Sequence, residues 1–351
     1  MTLVNRESKL AQWFFDEVQA CVLEKRITEV PALLQVSGDA SFRRYFRVHT
    51  PAVSFILVDA PPEMEDCRAF VDLSRRFLGA GVPVPEVHAV DYQQGFMCLS
   101  DFGDTQIWQP LRKAQQNPQI IPSADHLYQT AVSELLKIQA CSFTGDAALP
   151  EYSAALLRQE MELFRNWFCS QLLGLTLDDR EHGMLDTLFA MLTDSALAQP
   201  RVCVHRDYHS RNLMYLDAST LGIIDFQDAV MGPFTYDLVS LIKDCYIAWP
   251  REQVKAWALA YARQASAERL IPQTSDADFL RSFDMMGIQR HLKATGIFSR
   301  LHIRDGKSAY LKDIPRCLRY LREAASDYDN TAELSDWITR VLQPALKNSE
   351  I

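Results

Sequence analysis

The chain contains no CxxC pair, no run of about 18 apolar residues and no excess of positive charge. Each absence excludes something. The eight cysteines, at 21, 67, 98, 141, 169, 203, 245 and 317, are scattered, and most have apolar neighbours, as Cys203 has in Val202 and Val204. Thiols placed this way read as buried free cysteines in a reducing compartment, not as a disulfide framework or a metal site. The lack of a long apolar run excludes an expected membrane-spanning helix. The opening MTLVNRESKLAQWFF has no basic start followed by an apolar core, so no secretory signal is expected and a cytoplasmic location is. Lys and Arg number 36 against 45 Asp and Glu, a formal charge of -9. A broad nucleic-acid surface needs many cations to neutralise phosphates, so this balance argues against one. It leaves room for a local basic pocket. No internal repeat and no low-complexity tail are present. The expected partner is a small molecule, with no nucleic acid, no membrane and a monomer as the default.

What remains is an ordinary globular composition, 48% hydrophobic and 23% charged over 351 residues. That length suffices for two lobes and a sizeable core. Apolar positions recur at helical spacing over 9–25. Strands are predicted near Tyr45 to Val48 and Val53 to Val58, joined by a turn over 49–52. A helix over 65–78 follows, closed by Gly79 and Gly81 with Pro83 and Pro85 beyond. Two further strands, 87–90 and 96–99, flank the turn DYQQG. The result is a small α+β lobe over roughly 28–101. Segment 104–122 reads as a linker with a short helix. Helices are predicted over 125–140, 151–170, 179–197, 234–247, 251–269, 277–293, 311–326 and 332–346. They are interrupted by a strand at 202–204 and a hairpin at 213–216 and 221–224. The fold class expected is α+β, with lobes at 1–101 and 102–351.

The interruption carries the chemistry. HRDYHSRN occupies 205–212, and IIDF occupies 223–226. Asp207 and Asn212 then lie on a loop beside the hairpin, and Asp225 lies where its second strand ends. Phosphoryl transfer needs a positioned hydroxyl and divalent metal on the phosphates, and little covalent help. Asp207 suits the base that orients and deprotonates an acceptor hydroxyl. Asn212 and Asp225 suit Mg²⁺, which takes few protein oxygens and keeps phosphates and waters. His205 is placed to brace the loop. An H-x-D alone is weak, and Asp and Asn also cap turns. The full pattern, H-x-D-x₄-N with apolar-apolar-Asp thirteen residues after the Asn, is much sharper.

These residues resemble the motif of the aminoglycoside phosphotransferase/choline kinase superfamily, which shares the protein-kinase-like two-lobed fold. The resemblance implies a small N-terminal lobe with an antiparallel sheet, a mainly helical C-terminal lobe, and ATP with Mg²⁺ as cofactors. Arg206 stands where many such kinases carry Gly. Asp237, in GPFTYDL at 232–238, corresponds to an Asp that organises the loop behind the site. GDASFRRYFR at 38–47 resembles a phosphate-covering loop, which assigns Ser41, Arg43 and Arg44 to the nucleotide. The strand FMCLSDFG at 96–103 resembles the adenine-carrying hinge, which adds Met97, Leu99, Asp101 and, on the hairpin, Leu213. No Lys occurs in 51–80, where kinases place a phosphate-binding Lys on the third strand. Arg44, held by Glu65, is the expected replacement.

Further stretches extend the likeness over roughly 10–345: DAPP at 59–62, QRHLKATGIF at 289–298, and DGK at 305–307 with Tyr310. Together they resemble the bacterial cell-wall amino-sugar kinases. That resemblance implies ATP-dependent phosphorylation of the anomeric hydroxyl of N-acetylmuramate and N-acetylglucosamine, giving α-1-phosphates for peptidoglycan recycling. Besides Asp207, the sugar-facing candidates are Arg211, Asp228, Arg290, His291 and Lys293. The 289–298 stretch has a plainer reading as a tight helix end. Three alternatives stay open: a kinase of another alcohol such as an aminoglycoside, choline-like compound or homoserine, a protein kinase, or a non-catalytic ATP-binding module.

Overall fold

The computed structural model describes residues 3–36, 43–143 and 148–349. The chain forms two compact units, one from Met1–Gln106 with Leu213–Gln227, the other from Ile107–Asn212 with Asp228–Ile351.

The first unit opens with α1 (Leu3–Trp13), a π-helical stretch Phe14–Val18 and the short α2 (Gln19–Val22). Next come β1 (Leu34–Val36), β2 (Arg44–His49), β3 (Ser54–Asp59), α3 (Cys67–Gly79), β4 (Val87–Asp91) and β5 (Phe96–Ser100). The five strands make one sheet in the order β1-β2-β3-β5-β4, every pair antiparallel. The apolar face of the N-terminal helix, Leu10, Trp13, Phe14 and Val18, packs on Phe46, Val48, Phe55, Leu57 and Phe96 of the sheet. Residues three to four apart share a helix face, and alternate strand residues share a sheet face, so the sequence patterns meet here. β1 was not expected from the pattern. Its Leu34 and Gln35 are exposed on an edge strand, so it carries no alternation to read. Helix α3 starts two residues later than expected, because the Asp66 carboxylate caps it by accepting from the Arg68 N–H at 2.8 Å.

The second unit is mainly helical: α4 (Trp108–Gln116), α5 (Ala124–Ala140), α6 (Ala154–Leu163) with a π-helical extension Phe164–Leu172, and α7 (Asp179–Leu197). The bounds of α7 agree with the periodicity, and an Asp178–Glu181 capping box fixes its start. Strand β6 (Arg201–Val204) follows. The hairpin of β7 (Leu213–Tyr215) and β8 (Leu221–Ile223) belongs to the first unit. There the Ile223 N–H donates to the Pro83 carbonyl at 2.8 Å and the Tyr215 N–H to Thr105 at 2.7 Å. The chain then adds β9 (Val230–Pro233), α8 (Tyr236–Ile242), α9 (Arg251–Ala267), α10 (Asp276–Asp305), α11 (Ile314–Ala325), α12 (Ala332–Trp337) and α13 (Gln343–Asn348). Among the described residues, no helix is long and apolar enough to cross a membrane.

Helix α10 is the axis of the second unit's core. Its Met285, Ile288, Leu292 and Phe298 are buried against Phe164, Phe168, Leu188 and Leu318. It runs on well past residue 293, and the 289–298 stretch is mid-helix. A Cβ on Gly296 would lie 2.4 Å from the Leu163 carbonyl carbon, so this glycine admits the α6 backbone and does not end the helix. The terminator is Gly306, left-handed at φ 68.

Gly296→Ala is therefore expected to destabilise the protein by about 1–3 kcal/mol in urea or thermal unfolding. Gly183→Ala, in α7 with open space around its Cβ position, is expected to be neutral or to stabilise by up to about 1 kcal/mol.

Candidate active site

Strand β6 is apolar and pairs antiparallel with β9, Val204 opposite Val230. It delivers the chain into the 205–212 loop. Arg206 there takes a left-handed conformation, φ 75, which a non-glycine residue adopts only when held. Asp237 of α8 holds it. Its carboxylate accepts from the His205 N–H at 2.6 Å and the Arg206 N–H at 3.0 Å. The positive φ also accounts for glycine at the matching place in the resembled kinases. The Arg206 side chain is anchored by donating to Glu160 at 2.7 Å. The fully buried His205 accepts the Asp207 N–H on Nδ1 at 3.3 Å. The Asp207 carbonyl accepts from the His209 N–H at 3.0 Å and from the Asn212 side-chain amide at 3.0 Å. These bonds use the main chain of Asp207. The last one also orients Asn212, its nitrogen toward the loop. Asp244 accepts the Ser210 N–H at 3.0 Å and completes the support.

A buried polar cluster adjoins the loop. Glu160 receives Arg206, Lys293 at 3.3 Å, Gln289 at 3.3 Å and the Tyr152 hydroxyl. Lys293 also donates to the Tyr236 hydroxyl at 2.9 Å. Burial opposes the charge on Asp207, but Lys293, then His209 and Arg290, outweigh it and hold this carboxyl below the usual range. Asp207 is thus ionised at neutral pH. Burial pushes Asp237 up to about 7, against the pull of its two N–H donors.

The sugar-facing candidates fall in different places. Arg211 is half-buried, its guanidinium 3.6 Å from the Tyr246 ring centre, while the His209 ring packs on Tyr246 at 5.2 Å. Asp228 is exposed. Arg290 is buried, with Nη1 3.7 Å from Cys245 Sγ. His291 is also buried, its ring nitrogens 2.6 Å from the Gly287 carbonyl and 2.9 Å from that of Lys243. Burial and the charge of Arg290 outweigh both carbonyls and push its pKa down to about 3. Beside Arg211 and Tyr246 lies a cavity of about 670 Å³ within the second unit, walled also by Trp108 and several cations.

In the first unit, Ser41 lies outside the described residues. The expected Arg44–Glu65 pair does not form. Arg43 meets Glu65 at 2.9 Å, and Arg44 is bound to Asp59. Register gives the reason: Arg44 lies directly opposite Asp59 on the neighbouring strand, so the two side chains share a face. Arg6 binds the other oxygen of the same buried Asp59 at 2.5 Å. Met97, Leu99 and Leu213 are buried. The Asp101 carboxylate accepts from Arg47 at 2.6 Å, Ser54 at 2.7 Å and the Gly103 N–H at 2.9 Å. Asp225 has φ 65 and accepts from Gln227 at 2.8 Å. Its neighbour Phe226 is locked against Phe70 and Phe77. Glu160, Asp244 and Asp59 escaped sequence reasoning as site supports. Each acts on loop or strand residues distant in sequence; Asp59 opens the DAPP stretch, but its partners Arg6 and Arg44 lie outside that stretch.

Residues 32–275, well over half of the chain, match the family described as "Phosphotransferase enzyme family". The chain belongs to that family. It is 42% identical to the N-acetylmuramate/N-acetylglucosamine kinase of Pseudomonas putida, over 96% of this chain and 96% of that protein. It is likewise 42% identical to the enzyme of that name from Pseudomonas aeruginosa, over 90% and 91%. Among solved structures, an ADP-bound aminoglycoside phosphotransferase superposes with TM-score 0.59 at 13% identity, over 91% of this chain and 99% of that one. This fold is the two-lobed α+β fold of kinases, and the chain is an ATP-dependent phosphotransferase.

Asp237→Asn keeps one acceptor oxygen but turns an NH₂ toward an N–H. It is expected to lower kcat/KM at least about 10-fold and stability by about 1–3 kcal/mol, read by kinetics and urea unfolding. In the wild type, kcat/KM is expected to rise through about pH 7 as Asp237 ionises and grips both N–H groups. Asp237→Asn removes that rise. Asp207 adds no limb above the ordinary carboxylate range, because its pKa is lowered and activity falls only as pH drops through it.

Proposed function

We propose that this phosphotransferase moves the γ-phosphoryl of ATP to the anomeric C1 hydroxyl of N-acetylmuramate and N-acetylglucosamine, giving the α-1-phosphates for peptidoglycan recycling in the cytoplasm. The observation that carries this reading is the end-to-end 42% identity to a kinase named for those two sugars. The electrostatics support it too. The cavity next to Arg211 presents cations, which repel aminoglycosides and choline-like alcohols and tolerate neutral or anionic sugars.

In this reading Asp207 accepts the hydrogen of the C1 hydroxyl and orients its oxygen for in-line attack. A carboxyl held at low pKa is a weak base. That suits a loose phosphoryl transition state, in which the proton leaves late and positioning dominates. Lys293 sets this field without leaving Glu160. Asn212 and Asp225 hold Mg²⁺, which when bound neutralises charge on the β- and γ-phosphates. The donor chemistry fits: one carboxylate and one amide oxygen are hard oxygen donors of the kind Mg²⁺ takes beside phosphates and waters. An oxygen-poor set of this kind suits an ion that arrives on phosphates. Arg43, buried against Glu65, serves as the cation replacing the missing Lys, while Arg44 and Asp59 set the strand geometry. Ser41, outside the described residues, is assigned to the β-phosphate by its motif alone. The main chain of 99–101 reads the adenine edge, with Met97, Leu99 and Leu213 lining its site. Asp228 offers an acceptor for sugar hydroxyls.

Incubation with Mg-ATP and either sugar should give a phosphorus-coupled α-anomeric proton signal by NMR. Asp207→Asn should reduce its rate by at least about 10²-fold. Absence of product from both sugars would sink the reading. Arg43→Ala should raise the KM for ATP or lower kcat by about 10-fold or more. A larger ATP-specific effect of Arg44→Ala, with folding intact, would reverse the assignment of the two arginines.

A further inference from the structure

We infer that the cationic cavity of the second unit reads the lactyl carboxylate of N-acetylmuramate, with Arg211 and Lys312 as the residues that set preference for an anionic over a neutral sugar. The inference rests on the acceptor class proposed above.

Five cationic side chains line this cavity, Arg112, Arg211, Lys312, Arg316 and Arg319, against the single carboxyl of Asp313. That is a local inversion in a chain of net charge -9. A cleft lined by one sign of charge focuses potential and concentrates the opposite ion. The one acid is already engaged: Arg316 donates to Asp313 at 3.0 Å and also to the Cys245 carbonyl. Burial raises the Asp313 pKa, against Arg316, Arg211 and Lys312. Arg319 has Glu323 at 4.0 Å, which leaves Arg112, Arg211 and Lys312 facing a cavity whose one acid is engaged.

Position links this charge to the reaction. Arg211 stands four residues after Asp207 and immediately before Asn212. Its guanidinium carbon lies 3.6 Å from the centre of the Tyr246 ring, which also receives the edge-on His209 of the same loop. Stacking preorganises the planar fork for two parallel bonds to a carboxylate, a geometry that lysine cannot offer. A cavity of about 670 Å³ is of the size that encloses a small molecule. Trp108 and Tyr246 supply flat walls for the apolar side of a sugar ring.

The test compares N-acetylmuramate with N-acetylglucosamine, which lacks the lactyl ether, using the full chain and its Arg211→Gln and Lys312→Gln variants. Lys312 is exposed, so its replacement probes charge with little risk to folding. The ratio of kcat/KM for N-acetylmuramate to that for N-acetylglucosamine is expected to fall about 10-fold or more in Arg211→Gln and several-fold in Lys312→Gln, chiefly through KM. Raising salt should weaken only the anionic sugar. Ratios equal to wild type in both variants would overturn the inference and leave the proposed reaction standing. If the wild type phosphorylates neither sugar, the reaction fails and calorimetry without nucleotide judges the cavity. Binding of N-acetylmuramate that Arg211→Gln weakens about 10-fold sustains the inference. Equal or absent binding overturns it.

Discussion

The Asp237 carboxylate, gripping the N–H groups of His205 and Arg206, is the contact on which the rest of the site depends. Arg206 is held in a conformation disfavoured for any residue with a Cβ. Release of that grip would let the backbone relax, and Asp207 follows it directly in the chain. The grip is buried, and it is charge-assisted once Asp237 ionises. Helix α8 begins just after β9, and β9 is paired with β6, so the acid and the loop it holds are built on one rigid support.

A second layer of charge surrounds that support. Glu160 is buried yet flanked by Arg206 and Lys293, and Lys293 in turn biases Asp207 toward its ionised form. A lone buried carboxylate would take up a proton instead, so removing either cation would alter the state of its neighbours as well as a bond. The cluster couples the loop to helix α10, which places Gln289 and Lys293 one turn apart toward Glu160.

In the first unit the partners of Arg43 and Arg44 follow from where β2 begins. Arg44 is the first residue of β2 and lies opposite Asp59, while Arg43 precedes the strand and meets Glu65. Asp59 takes Arg44 together with Arg6 from the N-terminal helix, and Glu65 takes Arg43. An arginine–glutamate pair thus exists in a lobe whose third strand lacks lysine.

Much of the fold was legible in the sequence because local patterns specify it. The period of α7, the hairpin of β2 and β3, and the glycines after α3 all act within a few residues. Asp207, Asn212 and Asp225 could be singled out because their spacing is itself the signal. The edge strand β1 and the continuation of α10 could not be read. One exposes its apolar residue, and the other carries a glycine whose purpose is contact with α6. The sequence by itself determined the element types and the set of reactive groups. Tertiary structure alone decided which arginine meets Glu65, which acid holds Arg206, and that cations from separate helices converge on one cavity. Those outcomes are set by register and packing between segments far apart in the chain, and no local pattern encodes them.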